Sequence, residues 1–352
     1  MTAPAIQFEF VPVGTVALNE PCHFYLDVGN VAGPMVFDQH YPGSVALSST
    51  GLVRGQLKTL SAQIEPCSQV VIATHTAPDL DAISATWMTA RVLEGESLSD
   101  RFLDALAAYV DMADQGSLPI TAEVVSLDAL VSAAPELGSA MARDRAGSDL
   151  HCLTYGHGVL DDLHASGITD FSDVRPSAPL RNGIWARTAN FLIQDRSAFE
   201  EDMGNAEVDA VHLPRIDGAG TEAVDFIAIR EPRSRFFKSW VRSNDSLRRG
   251  PLTMIGHSDY RVVFSVPPDG GVFLKGLGDM LQAAERKCKP LVADQNAASP
   301  CRPGYDDPDP WYDGRGTAHN YTIVDAPRSG TRMTWQALRA ILAEYSASCA
   351  GT

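Results

Sequence analysis

One stretch constrains this chain more than any other: Val70-Val71-Ile72-Ala73-Thr74-His75-Thr76-Ala77-Pro78-Asp79-Leu80-Asp81-Ala82-Ile83-Ser84-Ala85. Val70 to Ala73 is a short, apolar, β-branched run of the kind buried in a parallel sheet. Pro78 then forces a turn, after which Leu80, Ile83, Trp87 and Ala90 recur at helical spacing. A strand, a turn and a helix therefore place His75, Asp79 and Asp81 just beyond the carboxyl end of the strand, where open α/β sheets hold their ligands. Carboxylates with a neutral imidazole suit Mn²⁺ or Mg²⁺, and the stretch has no thiolate to favour a structural zinc. The plain structural alternative makes Asp81 the N-cap of the helix, Asp79 a turn residue and His75 a strand-end histidine.

The same logic applies earlier in the chain. His23-Phe24-Tyr25-Leu26-Asp27-Val28-Gly29 reads as a short strand ending in an acid and a glycine, and Met35-Val36-Phe37-Asp38-Gln39-His40 as another ending in Asp and His. Further on, Phe102, Leu103, Leu106 and Val110 mark a helix that runs through Asp111 to Asp114 and stops at Gly116. An acid near a helix C-terminus opposes the macrodipole, and a cation is a sufficient reason for one at Asp111.

The segment from His75 to Ala85 resembles the first motif of the DHH phosphoesterase superfamily, with Pro78-Asp79-x-Asp81-Ala82 as its core. Asp27-Val28-Gly29 and Asp38-Gln39-His40 are similar to the second and third motifs, most closely as in the MYG1-like and oligoribonuclease-like branch. The resemblance implies a phosphohydrolase with two Mn²⁺ or Mg²⁺ ions per chain. Its metal ligands would be His75, Asp79, Asp81, Asp27 and Asp111, with Asp27 bridging the ions, and His40 and Asp38 would be catalytic. Two departures stand out. Gln39 occupies the place of the first histidine of the triplet, so either the second metal is weakly held or His40 takes over as ligand. The Asp27 and Asp38 motifs also precede the His75 motif instead of following it, which a permuted sheet can accommodate.

The rest of the chain completes an α/β expectation: a mainly parallel sheet with flanking helices over residues 1–180, a linker helix over 181–207, and a smaller α+β domain over 208–352. Helical spacing covers much of 127–166 and 185–198, strands are expected at 208–213, 225–229 and 261–266, and further helices at 274–286 and 334–345. Seven cations fall between Arg230 and Arg249, either a solvated, salt-bridged helix or an electropositive wall for phosphates. In Gly314-Arg315-Gly316-Thr317-Ala318-His319, followed by Arg328, glycines permit close approach to an anion. Arg315, His319 and Arg328 are the candidate substrate-binding residues.

A net charge of −16 argues against duplex nucleic acid and anionic membranes as partners and leaves small anions held through metal. No apolar run approaches a membrane span. The six cysteines lack C-x-x-C spacing and no basic, apolar leader opens the chain, so reduced thiols and a cytoplasmic location are expected. The expected activity is hydrolysis of a small phosphorylated or nucleotide substrate. The alternatives are hydrolysis of an amide or ester, or a catalytically degenerate nucleotide- or metal-binding module. A homodimer is compatible with all of these.

Overall fold

The computed structural model describes residues 4–18, 20–63, 67–133, 145–176, 178, 180, 183–248, 250–288 and 304–351. Residues 134–144 of the expected helical region, Arg249 of the basic run and Cys301 lie outside them. The chain forms two units, one of residues 1–114 and 121–193, the other of 115–120 and 194–352.

In the first unit β1 (Ala5–Val11), β2 (His23–Leu26), β3 (Val36–Phe37) and β4 (Gln69–His75) form an all-parallel sheet in the order β1-β4-β2-β3. Because the strands run the same way, Leu26, Phe37 and His75 end at the same edge of the sheet, and the residues that follow them emerge together. Val70, Ile72 and Ala73 are fully buried, as a strand covered on both faces requires.

Helix α1 (Ser49–Gln63) joins β3 to β4, and α2 (Leu80–Leu93), α3 (Asp100–Asp114), α4 (Leu127–Ser132) and α5 (Arg145–Ala165) follow. α2 packs against α1, α3 and α5. Burial on nearly every side explains why Trp87, Met88, Ile83 and Ala85 leave it no polar face. Gly156 on α5 is required by that packing, since a Cβ there would stand 2.5 Å from Ile83 Cγ2.

The second unit is a mixed sheet of β5 (Glu207–Pro214), β6 (Thr221–Arg230), β7 (Leu252–Gly256), β8 (Val262–Ser265) and β9 (Ile323–Asp325), in sequential order, with only β6 and β7 parallel. Its core of Phe226, Phe264, Met254 and Trp311 also takes in α8 (Leu277–Cys288) and α9 (Trp335–Ala350) through Leu281, Leu338 and Leu342. Between the sheets' sequences lies α6 (Ile184–Asn205), and the two units part within this helix, at Ile193. The basic run forms only a short helix, α7 (Phe237–Arg242). Arg230 pairs with Asp259, Arg233 with Glu201 and Arg248 with Asp225, the salt-bridged arrangement.

One expectation is corrected outright. Cys22 and Cys67 are joined in a disulfide, their Cα atoms 6.0 Å apart, so the thiols are not all reduced. The pairing follows from topology: Cys22 precedes β2 and Cys67 precedes its neighbour β4, and Val71 N donates to Cys22 O at 2.9 Å. Cys152, Cys288 and Cys349 are not in disulfides. Among the described residues no helix is long and apolar enough to cross a membrane.

Candidate metal centre

The strand ends of the first unit converge on a knot of buried carboxylates. Asp27 follows β2 with φ +58, a left-handed conformation unusual for a non-glycine residue and of the kind retained at functional sites. Gly29 follows at φ +132, with no room for a side chain, since a Cβ would meet Val36 Cγ1 at 2.6 Å. This loop directs the Asp27 carboxylate at β4: Asp27 Oδ2 lies 3.1 Å from His75 Nε2.

His75 determines what its neighbourhood can accept. Its Nδ1 lies 3.0 Å from Thr76 O, and because a carbonyl only accepts, Nδ1 carries a proton. Nε2 of the neutral ring is then a lone pair facing Asp27 Oδ2 and, at 3.8 Å, Asp79 Oδ1. Three electron-rich atoms so arranged require either a proton on the ring or a cation among them. Without an ion the proton takes that part. Burial works against a charged imidazole, but the hydrogen bonds and charges of Asp27 and Asp79 outweigh it and hold the His75 pKa well above its usual value.

Asp79 is the N-cap of α2: its Oδ1 accepts from Asp81 N and Ala82 N, both at 3.1 Å. Desolvation pushes its pKa up, but His75 and the helix N–H groups hold it down, at about 2. The turn leading into it has Ala77 at φ +57, and Asp149 Oδ1 from α5 accepts from Ala77 N at 2.9 Å.

Asp81 is directed away from its own helix. Its carboxylate accepts from Ser49 N (2.8 Å), Thr50 N (2.8 Å) and Thr50 Oγ1 (2.7 Å), and so caps the N-terminus of α1. The structural alternative that made Asp81 the cap of its own helix does not hold, since Asp81 caps α1 and Asp79 caps α2. Burial, with the charges of Asp27 and Asp114, raises the Asp81 pKa well above the usual range.

Gln39 sits at the centre, 1% exposed. Its Nε2 donates toward Asp27 Oδ1 (3.1 Å), Asp81 Oδ2 (3.2 Å) and Asp114 Oδ2 (3.3 Å), while its Oε1 accepts from Ser49 Oγ at 2.6 Å. Beside it the fully buried Asp38 orients His40: Asp38 Oδ1 accepts from His40 N (3.0 Å) and lies 2.7 Å from His40 Nδ1, and Oδ2 accepts from Asn30 N (2.5 Å). Burial would raise the Asp38 pKa, but the His40 charge and these hydrogen bonds lower it.

The structure therefore brings together Asp27, Asp38, His40, His75, Asp79 and Asp81. Two groups in it have the spacing to hold a metal ion, Asp27–His75–Asp79 and Asp27–Asp38–His40, with Asp27 in both. From α3 the acid that reaches the cluster is Asp114, whose pKa burial and the Asp27 charge push up to about 7. Asp111, one turn earlier, instead accepts from Ser48 Oγ at 2.5 Å. Helical spacing put both acids on one face, and only the packing of α3 distinguishes them.

Arg315, His319 and Arg328 lie in the second unit. The Arg315 guanidinium is engaged with Asp313 (Nη2–Oδ2, 2.7 Å) and Asp279 (2.7 Å) and lies over the Tyr305 ring. The backbone of His319 forms part of the turn through Thr317 and Thr322, and Arg328 N donates to Asp309. Comparison with known proteins adds no assignment: no protein-family model matches the chain, and no curated protein matches it.

Proposed function

We propose that the protein is a divalent-metal-dependent hydrolase acting on a small phosphorylated or nucleotide substrate, and that its first unit is a DHH-like catalytic domain with permuted motifs. The observation that carries the reading is His75. Its Nδ1 proton is held by a backbone carbonyl and its Nε2 faces two carboxylates, the orientation that prepares an imidazole for a metal. Asp27, His75 and Asp79 would hold the ion, and an oxygen-rich set with one imidazole suits Mn²⁺ or Mg²⁺. When bound, such an ion polarises a phosphoryl oxygen and acidifies water.

The chain's own groups supply the rest. Asp38 fixes the His40 ring by accepting the Nδ1 proton, which leaves Nε2 as the ring atom for moving a proton to or from substrate. His40 is a quarter exposed, so the ring is accessible from outside the carboxylate knot. The net charge of −16 favours small anions neutralised by the ion over long polyanions.

The test is Mn²⁺-dependent hydrolysis of a panel of phosphodiesters, nucleotides and polyphosphates, comparing the chelated and reloaded protein with His75→Gln. Metal-dependent turnover lost in the variant supports the reading; no turnover on any member, with no ion bound, overturns it. The second reading, a binding module without turnover, is favoured by Gln39, whose amide stands where the family resemblance calls for an imidazole. It predicts ion or nucleotide binding with no hydrolysis.

A further inference from the structure

We infer that this chain holds a single divalent ion, at Asp27, His75 and Asp79, and that the side-chain amide of Gln39 stands in place of a second. The inference rests on the metal reading above and departs from the two ions that the resemblance implies.

A second ion in such a centre would be held by the carboxylates on the far side of Asp27, namely Asp81 and Asp114. In this chain those oxygens face one atom. Gln39 Nε2 lies 3.1, 3.2 and 3.3 Å from Asp27 Oδ1, Asp81 Oδ2 and Asp114 Oδ2, hydrogen-bond distances to all three. Three carboxylate oxygens would repel an inward-turned amide oxygen, so the N–H groups face them, and the Ser49 hydroxyl, 2.6 Å from Oε1 on the other side, donates to it. A cation among these acids would have to take the lone pairs that the amide N–H groups now occupy.

The other group containing Asp27 does not replace the lost site. Two ligand atoms about 2.1 Å from one ion at right angles stand about 3 Å apart. His40 Nδ1 and Asp38 Oδ1 are only 2.7 Å apart, the length of a charge-assisted hydrogen bond. The separations of His75 Nε2 from Asp27 and Asp79, 3.1 and 3.8 Å, leave space for an ion. Chemically, a fixed neutral donor has replaced a mobile dication at one half of the centre. The half that remains is the one held by the strand end and the α2 cap.

The experiment is Mn²⁺ equilibrium dialysis with metal analysis and electron paramagnetic resonance, on the full chain and on Gln39→His. The native chain should saturate at one ion per chain with the signal of isolated Mn²⁺, and Gln39→His should approach two, with the signal of an exchange-coupled pair. Two coupled ions in the native chain overturn the inference and leave the metal-dependent reading standing. No ion in the native chain overturns both. A folded Gln39→His that stays at one ion overturns the role given to the amide. Native stoichiometry needs no variant, so misfolding of Gln39→His leaves the central claim testable.

Discussion

Asp27 in the first unit and Asp313 in the second are both buried aspartates in loops that follow or flank strands, yet they are compensated in opposite ways. Asp313 accepts from Arg315 Nε (2.9 Å) and Nη2 (2.7 Å) and from Tyr305 Oη (2.7 Å), a charge matched by a charge. Asp195, also buried, is met by Arg235 N, Phe236 N, Ser234 Oγ and Trp240 Nε1. Asp27 is met by an amide, a hydroxyl at 3.4 Å and two imidazoles, and it shares that small supply with Asp38, Asp79, Asp81 and Asp114. Buried carboxylates of the first kind hold a fold together. Those of the second kind demand a proton or a cation from outside, and that demand is what distinguishes a site from a structural ion pair.

The comparison can be broken in four ways, taken in order of their effect on Mn²⁺ binding. The largest concerns Asp27, which belongs to both groups with metal spacing. Asp27→Asn keeps the shape and removes the charge, and should weaken Mn²⁺ binding by about 100-fold or more, as isothermal titration would measure. Retention of native affinity would mean that the ion is held elsewhere.

The second is pH. Burial raises the pKa of Asp27 and Asp81 and takes Asp114 from 3.8 to about 7, so in the folded, ion-free protein these three groups hold more protons than in the unfolded chain between about pH 4 and 7. His75, held above its usual 6.5, adds the same sign at higher pH. Stability that depends on those extra protons is present at low pH and lost as pH rises, so the melting temperature of the chelated protein should fall from pH 5 to pH 8. The depressed Asp79 and Asp38 oppose this only below about pH 4, where the unfolded carboxyls titrate. His157, which burial pushes down to about 4, and His257, also lowered by burial, lose protons on folding and offset part of the fall below about pH 6.5. Mn²⁺ competes with the same protons, so its affinity should rise over that range and its presence should flatten or reverse the fall. A chelated protein with the same pH dependence of stability from pH 5 to pH 8 as the Mn²⁺-loaded one would show that the cluster is not short of positive charge.

The third concerns Asp149, which supports the turn between the two ligands by accepting from Ala77 N. Asp149→Ala should weaken Mn²⁺ binding by about 10-fold, the scale of outer-shell losses, whereas Asp149→Asn, which keeps an accepting oxygen, should stay near native. Equal affinity in both variants would show that Pro78 alone sets the turn.

What could be read from the sequence follows from how local each feature is. The strand-turn-helix around His75 and Asp79 is set by residues within sixteen positions of one another, and β4 and α2 form there as their periodicities predict. The short strands before Asp27 and Asp38 likewise form where their apolar runs place them. Helix α1 carries a helical signal in Val53, Leu57 and Leu60, which are buried, but Gly51 and Gly55 weaken it, and its start is set by Asp81, some thirty residues away in sequence. The choice between Asp111 and Asp114 and the pairing of Cys22 with Cys67 are likewise tertiary facts. Gln39 was visible as a departure from a motif, but its contact with three carboxylates needs strands β2 and β3 and helices α2 and α3 to be in place.

The last prediction, with the smallest effect on the ion, tests the other half of the comparison. Arg315→Ala removes the charge that matches Asp313 and leaves that fully buried carboxylate with Tyr305 Oη as its remaining side-chain partner among the described residues. Breaking a buried pair from one side costs about 3 kcal/mol, so thermal or denaturant unfolding should register a clear loss of stability. Mn²⁺ affinity should change less than about 2-fold, below the 0.4 kcal/mol that such a ratio represents. If Arg315 instead serves a phosphorylated substrate, the variant would keep its stability and lose affinity for that substrate. The difference between those outcomes decides whether the second unit's glycine-flanked arginine belongs with Asp27, as part of a site, or with Asp195, as part of the fold.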